Sequence, residues 1–255
     1  MDRKIRVGAV SYLNTKPLVY GFEQGMMADT IEMINDYPSK VAAKLLSEEI
    51  DIGLVPVAII PSLPQHLIVS DYCIGCDGEV ASVCLFSDVP LREIETILLD
   101  YQSRTSVALL KVLLKEYWKI SPKLVAGTVE YEQQISGTTA GLVIGDRAFK
   151  QRLRSAYIYD LGEAWKEMTG LPFVFAAWVS NKPMDEAFKE DFNKANAVGL
   201  DNLDAIIAVT PCEIYDLKKY YTKNIGYLLD EEKQKGLKLF FEYVSIGVSK
   251  SENAV

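Results

Sequence analysis

The first 60 residues alternate between short apolar runs and amphipathic stretches, and this alternation predicts strands and helices in turn. A helix is expected over residues 15–22, with Thr15 as its N-cap, and another is opened by Ser39. This spacing is typical of βαβ units with parallel strands. The predicted strands cover residues 5–10, 30–35 and 52–55.

Two longer β-rich stretches lie near residues 67–87 and 171–180, and they bracket a further α/β segment with a strong helix over 103–117. From residue 185 onward the pattern is helical. A chain that crosses twice between two lobes gives this pattern, and a cleft between the lobes suits a small ligand. We therefore predict a two-lobed α/β fold with two crossover strands, with a single doubly wound sheet as the alternative. Lobe one is expected to hold 1–86 and 181–255, and lobe two 87–180.

Composition narrows the class of protein. The chain has 255 residues, 49% of them hydrophobic, and carries 27 basic against 35 acidic side chains, a net charge of -8. An acidic chain of this kind is not expected to bind nucleic acid, since neutralising phosphates needs a basic face. No apolar run reaches the length of a membrane helix, and the first apolar run is too short for a secretory signal. We expect a cytoplasmic protein without a membrane or nucleic-acid partner; the sequence leaves its oligomeric state open.

Several familiar chemistries lack their motifs. Cys73 and Cys76 have metal-type spacing, but no second pair accompanies them, so buried reduced thiols are expected and no metal. His66 is the single histidine, which gives no support for a Ser-His-Asp triad. No Walker loop and no G-x-G-x-x-G motif occurs, which argues against a nucleotide.

Two turns between a predicted strand and a predicted helix are candidate ligand contacts. In open α/β sheets, ligands bind beyond the carboxyl ends of strands, near helix N-termini. Ser11 and Asn14 follow the first strand, and they serve equally well as loop and capping residues. The second turn has a hydroxyl-rich set with one guanidinium, suited to an anion or to a simple serine cap. Its residues are Ser103, Arg104, Thr105 and Ser106.

Four further positions near predicted strand ends are candidates. Ser82 lies among small and apolar neighbours and is a candidate to face the cleft, or an ordinary strand serine. Glu79 is a candidate acid or base. Gly145 and Asp146 end a buried strand, where Asp146 either caps the next helix or contacts ligand.

The segment Ser11-Tyr12-Leu13-Asn14-Thr15-Lys16-Pro17-Leu18 is similar to the N-terminal signature of the chorismate dehydratases of the futalosine route to menaquinone. Four later segments resemble that family in order and spacing, so that the match spans most of the first 180 residues. The resemblance implies a fold like that of type II periplasmic binding proteins. The four segments are 78–83, 103–106, 145–146 and 160–162 with Trp165.

The resemblance also implies an activity and site roles. The expected enzyme is a carbon–oxygen lyase that removes water from chorismate to give 3-[(1-carboxyvinyl)oxy]benzoate, with no cofactor. Asn14 and Ser82 are then expected nearest the reacting carbons, with Glu79 as candidate base. A carboxylate of the substrate itself is the preferred proton acceptor. The expected substrate contacts are Ser11, Ser103, Arg104, Thr105, Ser106, Gly145 and Asp146.

Two other functions stay open from the sequence. The first is a cytosolic protein that binds a small carboxylate without turnover. The second is the related enzyme of the same route that makes dihydroxynaphthoate from a cyclised intermediate. A histidine base is expected there, whereas His66, the single histidine of this chain, lies outside any recognisable cleft turn.

Overall fold

The computed structural model describes residues 3–63, 65 and 67–252, with side chains up to residue 245, and the chain divides into two compact units. Unit 1 comprises the described residues up to Gly75 together with Val174–Asp230. Unit 2 comprises Cys76–Phe173 together with the described residues from Glu231 onward. His66 lies outside the described residues, so its role stays a prediction.

Strands and helices fill both units. The described strands are β1 Ile5–Val10, β2 Ile31–Asp36, β3 Ile52–Pro56, β4 Leu67–Cys76, β5 Val83–Ser87, β6 Thr96–Leu99, β7 Lys123–Ala126, β8 Thr139–Ile144, β9 Tyr157–Asp160, β10 Phe173–Ser180 and β11 Gly226–Leu228. The described α-helices are α1 Lys16–Glu23, α2 Pro38–Leu46, α3 Arg104–Val112, α4 Asp146–Arg152, α5 Leu161–Thr169, α6 Glu186–Asp201, α7 Leu203–Ala208, α8 Leu217–Lys219 and α9 Glu231–Glu252.

The sheet of unit 1 has the strand order β11-β4-β10-β3-β1-β2. β1 pairs in parallel with β2 and with β3, which confirms the predicted βαβ units, whereas β10 runs antiparallel to β3. All five residues of β3 are buried, as is typical of a central strand covered on both faces. Helix α1 packs against α6, where Trp178 of β10 lies edge-on to Phe22 and Phe192.

The sheet of unit 2 has the strand order β7-β6-β8-β5-β9. β6 is parallel to β7 and β8, while β5 is antiparallel to both of its neighbours, β8 and β9. A core forms on one face of this sheet, where alternate residues of β5 meet the side chains of neighbouring strands. Its buried members include Cys84, Phe86, Leu98, Tyr131 and Val143.

Two separate sheets exclude the single doubly wound sheet, and they agree with the two-lobed prediction of the fold. The unit boundaries nevertheless differ from the predicted ones. They lie at 75/76, 173/174 and 230/231, whereas lobe boundaries at 86/87 and 180/181 were predicted from the sequence. The shift arises because β4 and β10 pair within the sheet of unit 1, whereas β5 pairs only in unit 2. The chain passes between the units a third time, because α9 belongs to unit 2.

Several local predictions need correction. Ser39 does not cap α2; the helix starts one residue earlier at Pro38, a residue favoured in the first turn of a helix. The C-terminal third is not wholly helical, since β11 pairs antiparallel with β4. The predicted buried thiols are present: Cys73, Cys76 and Cys84 are buried and are not joined in a disulfide. Among the described residues, no helix combines the length and apolar character that a membrane span requires.

Candidate functional site

The candidate residues of unit 2 lie along one edge of its sheet. β6 and β8 are parallel, so their carboxyl ends, followed by Asp100 and Gly145, lie at the same edge. β5 runs the opposite way with Val83 opposite Ile144, which brings Ser82 to that edge as well. Asp160 pairs with Cys84 at the end of β9 and completes the row. Topology alone therefore gathers residues from four separate stretches of sequence.

The turn before α3 contains the serine cap, one of the two roles that the sequence left open for it. The Ser103 hydroxyl accepts a hydrogen bond from the Ser106 backbone N–H at 3.1 Å and donates to the Ser106 hydroxyl at 2.8 Å. Ser103 is thus the N-cap of α3, with Thr105 and Ser106 buried and Arg104 exposed. The first-turn N–H groups of a helix have no intrahelical acceptor and favour negative charge, which makes this turn suited to a carboxylate.

A buried ionic network that was not predicted from the sequence lies directly beside this turn. Asp100 accepts hydrogen bonds from the Tyr131 hydroxyl at 2.9 Å and from the Arg147 guanidinium at 2.6 Å. Arg147 also contacts Glu132 at 2.6 Å and lies over the ring of Tyr101. The partners of Asp100 stand 31 and 47 residues away in sequence, so no local motif announces the network.

Burial dominates the electrostatics of that network. It raises the pKa of Asp100, although the nearby Arg147 guanidinium partly opposes this effect. Burial also raises the pKa of the Tyr131 hydroxyl, and the adjacent Asp100 raises it further. Tyr131 therefore stays a neutral hydrogen-bond donor. We infer that the network holds the Asp100–Ser103 segment, and with it the start of α3, in one conformation.

Ser82 is fully buried and follows a turn with unusual backbone geometry. Gly78 and Ala81 both have positive φ, at 107° and 63°. Glu79 forms an ion pair with Arg152 of α4 at 2.7 Å, and 35% of its side chain is exposed. The Arg152 guanidinium and a substrate proton would therefore compete for the Glu79 carboxylate.

Gly145 supports Ser82 from the neighbouring strand end. Its N–H donates to the Ser82 carbonyl oxygen at 2.8 Å, and its backbone adopts φ 64° and ψ -150°. That conformation is essentially confined to glycine. Asp146 does not cap α4 as expected, because it is itself the first helical residue and Gly145 occupies the cap position. The Asp146 carboxylate in the first turn still complements the helix dipole.

The candidate residues of unit 1 follow β1. Ser11 is exposed, and Asn14 lies half-buried in a short 3₁₀ turn, Leu13–Thr15. The Tyr227 hydroxyl donates to the Asn14 carbonyl oxygen at 3.0 Å and fixes the backbone there. Thr15 occupies the N-cap position of α1, but its side chain makes no capping bond; instead it lies 3.4 Å from the Asn14 side-chain oxygen. Thr15 is therefore the N-cap residue of α1, as predicted, but without a side-chain capping hydrogen bond.

The two mixed sheets with helices belong to the fold of the periplasmic binding proteins, as solved structures show. A protein from Archaeoglobus fulgidus aligns with a TM-score of 0.74 and 16% identity, over 96% of this chain and 97% of that one. The periplasmic aliphatic sulphonate binding protein SsuA from Escherichia coli aligns with a TM-score of 0.60 and 15% identity, over 95% and 93% of the two chains. At such identities the likeness concerns the fold alone.

The chain belongs to the menaquinone biosynthesis family, whose model matches residues 5–245. Among its relatives is the chorismate dehydratase of Thermus thermophilus, 28% identical, with 94% of this chain and 95% of the relative covered. The chorismate dehydratase of Campylobacter jejuni is 26% identical, with 91% and 94% covered. The resemblance found in the N-terminal motif thus extends along more than nine tenths of each relative.

Proposed function

We propose that this protein is a chorismate dehydratase, a carbon–oxygen lyase that converts chorismate to 3-[(1-carboxyvinyl)oxy]benzoate and water. The observation that carries the proposal is the end-to-end similarity to two relatives of that name, within a family of menaquinone biosynthesis. Neither of these two relatives carries the name of a rival function.

The reaction sets modest demands on the protein. Chorismate loses the hydrogen on ring carbon C3 and the hydroxyl on C4, and the electron pair of the broken C–H bond completes an aromatic ring. No electrons are gained or lost overall, so the step needs no oxidant or reductant. The protein has to hold two carboxylates, position the ring and exclude water.

We assign one substrate carboxylate to the turn Ser103–Ser106. Ser103 caps α3, and the N–H groups at the start of this helix favour a negatively charged group. Arg104 is an exposed cation in the same turn. Gly145, Asp146 and Ser11 stay proposed substrate contacts. Asn14 and Ser82 stay the residues proposed to act nearest the reacting carbons.

The proton acceptor is proposed to be a carboxylate of the substrate itself. The ion pair between Glu79 and Arg152 supports this choice, because it engages the carboxylate of Glu79, the candidate base. A Glu79→Gln variant is then expected to keep turnover within about tenfold of wild type. A loss of about 10² to 10⁴, the usual range for removal of a general base, contradicts the substrate-assisted version.

The function is tested by incubating the purified chain with chorismate and following the aromatic product by absorbance and mass spectrometry. Ser82→Ala is expected to lower kcat/KM by about a hundredfold or more, since it removes the positioned hydroxyl altogether. Ser87→Ala is its matched control, because Ser87 is also a buried serine but ends β5, whereas Ser82 directly precedes that strand. It is expected to leave kcat/KM within about twofold of wild type.

The rival functions give other results. Tight chorismate binding without product identifies a binding protein and refutes the enzyme. In a second incubation, with the cyclised intermediate as substrate, formation of dihydroxynaphthoate that is lost in His66→Ala identifies the related enzyme.

A further inference from the structure

The turn that delivers Ser82 is strained at Ala81. Ala81 has φ 63°, and the Ser82 N–H bonds to the Val80 carbonyl oxygen at 2.8 Å, two residues back. Positive φ at the centre of such a three-residue turn is the rare and strained form, and a residue with a Cβ adopts it only when its surroundings hold it there. Two side chains, those of Asp160 and Arg152, hold the backbone of Ala81 in this conformation.

Asp160 holds the amide side of the turn. One carboxylate oxygen accepts the Val80 N–H at 3.1 Å, and the other accepts the Ala81 N–H at 2.7 Å. The first oxygen also accepts the N–H groups of Gly162 and Glu163, so Asp160 caps α5 at the same time. This side chain therefore joins the turn to the start of a helix inside unit 2.

Arg152 holds the carbonyl side. Its guanidinium donates to the Ala81 carbonyl oxygen at 3.1 Å and to the Glu79 carboxylate at 2.7 Å. The Gly145 N–H then holds the Ser82 carbonyl oxygen at 2.8 Å. Both backbone polar groups of Ala81 and both of Ser82 are thus occupied, which sets the direction of the Ser82 side chain.

We propose that Asp160 is a positioning residue for Ser82: its carboxylate maintains the strained Ala81 turn, with Arg152 completing the clamp. The inference rests on the proposed function and deepens it. Asp160 acts through Ser82 and does not contact substrate. Misplacement of a reacting group by about 1 Å costs about a hundredfold in rate, and this is the loss expected when the turn relaxes.

The test is a double-mutant cycle between Asp160→Asn and Ser82→Ala, measured on chorismate. Asp160→Asn keeps the size of the side chain but replaces one acceptor oxygen by a donor NH₂ that faces backbone N–H groups. It is expected to lower kcat by about a hundredfold while KM changes by less than about threefold. In the Ser82→Ala background the same change is expected to cost less than about threefold, because the residue it positions is gone.

Asp185→Asn is the matched control, since Asp185 caps α6 in unit 1 through the Phe188 N–H and lies on another element. It is expected to lower thermal stability and to leave kcat within about twofold. If Asp160→Asn does not fold, Arg152→Met replaces it in the cycle. Independent, additive losses refute positioning, and so does a Ser82→Ala variant with wild-type kcat. Wild-type protein without turnover refutes the proposed function, a separate outcome.

Discussion

Asp51 shows how one buried carboxylate joins distant parts of unit 1. Only 4% of its side chain is exposed, and it forms ion pairs with Arg3 at 2.8 Å and Lys182 at 2.9 Å. It also accepts the Arg6 backbone N–H at 2.9 Å. Burial by itself raises the pKa of Asp51, but the Arg6 backbone and the Lys182 ammonium outweigh it, so this pKa lies below its usual value.

This carboxylate makes unit 1 sensitive to acid. Its pKa is lower in the folded chain than in the unfolded chain, so its contribution is present above about pH 4 and is lost as the pH falls below that value. Asp51→Asn is expected to cost about 1–3 kcal/mol in the free energy of unfolding at neutral pH. The difference from wild type is expected to shrink between about pH 5 and pH 2 in urea titrations.

Asp191→Asn provides the comparison for this titration, because Asp191 is 60% exposed and pairs only with the exposed Lys194 on its own helix, among the ion pairs of the described residues. We expect it to change stability by less than about 0.5 kcal/mol at every pH. A constant difference between wild type and Asp51→Asn across the pH range contradicts the assignment.

Residue-level prediction succeeded where the physics is local. A serine cap was one of the two interpretations of the turn before α3, and the structure shows it at Ser103, whose partner, Ser106, lies only three residues away. It failed for Asp146, because α4 begins at that residue and Gly145 occupies the cap position. Thr15 occupies the predicted N-cap position of α1, but its side chain makes no capping hydrogen bond. The contacts of Asp160 with Val80 and Ala81 span about eighty residues, and only the paired strands β5 and β9 bring them together.

At the level of elements, helices α1 and α6 approach through two glycines. A Cβ added to Gly199 would lie 1.8 Å from the Pro17 carbonyl oxygen, and one added to Gly21 would lie 2.1 Å from the Ala195 carbonyl oxygen. The backbones are thus in direct contact. Pro17 is in the first turn of α1, three residues after Asn14, so this contact also supports the candidate residue of unit 1.

Gly199→Ala is a test of this contact whose sign is informative. In an exposed helix interior, glycine to alanine stabilises by about 1 kcal/mol. Here the methyl group forces the two helices apart, so we expect a loss of about 1–3 kcal/mol in the free energy of unfolding by urea. Glu190→Ala on the exposed side of α6 should stay within about 0.5 kcal/mol. A more stable Gly199→Ala variant contradicts the close approach.

Elements with strong patterns were predicted well, and short ones were not. The strand at Ile5–Val10 was predicted residue for residue, since its apolar run has clear polar ends. β11 has three residues, Gly226–Leu228, too few to show a period, and its pairing with β4 decides its conformation. The helix predicted over 103–117 is in fact α3 followed by a π-helical turn, Leu113–Trp118, a change of hydrogen bonding that hydrophobic spacing does not reveal.

At the scale of the whole molecule, the C-terminal helix belongs to unit 2 through aromatic packing. Phe240 of α9 is fully buried, with its ring 5.0 Å from that of Phe173 and 6.2 Å from that of Trp165. The Trp165 indole N–H donates to the Pro172 carbonyl oxygen at 3.2 Å. From the sequence, this helix was predicted to lie in lobe one. The hydrophobic pattern of a helix does not show which part of the molecule it packs against.

Phe240→Ala is expected to destabilise unit 2 by about 3–5 kcal/mol and to leave unit 1 nearly unchanged. Hydrogen exchange resolved by strand measures this, with faster exchange expected in β5 and β8 than in wild type and unchanged exchange in β1 and β3. Phe241→Ala, at the half-buried neighbouring position, should cost less. Equal loss of protection in both sheets contradicts the assignment of α9.

The third passage of the chain has a consequence for synthesis on the ribosome. Residues 76–173 leave the ribosome long before Phe240. The rings of Trp165 and Phe173 therefore lack their contact with Phe240 while the second segment of unit 1 is synthesised. Exposed apolar surface of this kind favours aggregation of a nascent chain. We expect unit 1 to fold first. Unit 2 is expected to reach its native packing only after α9 has left the ribosome.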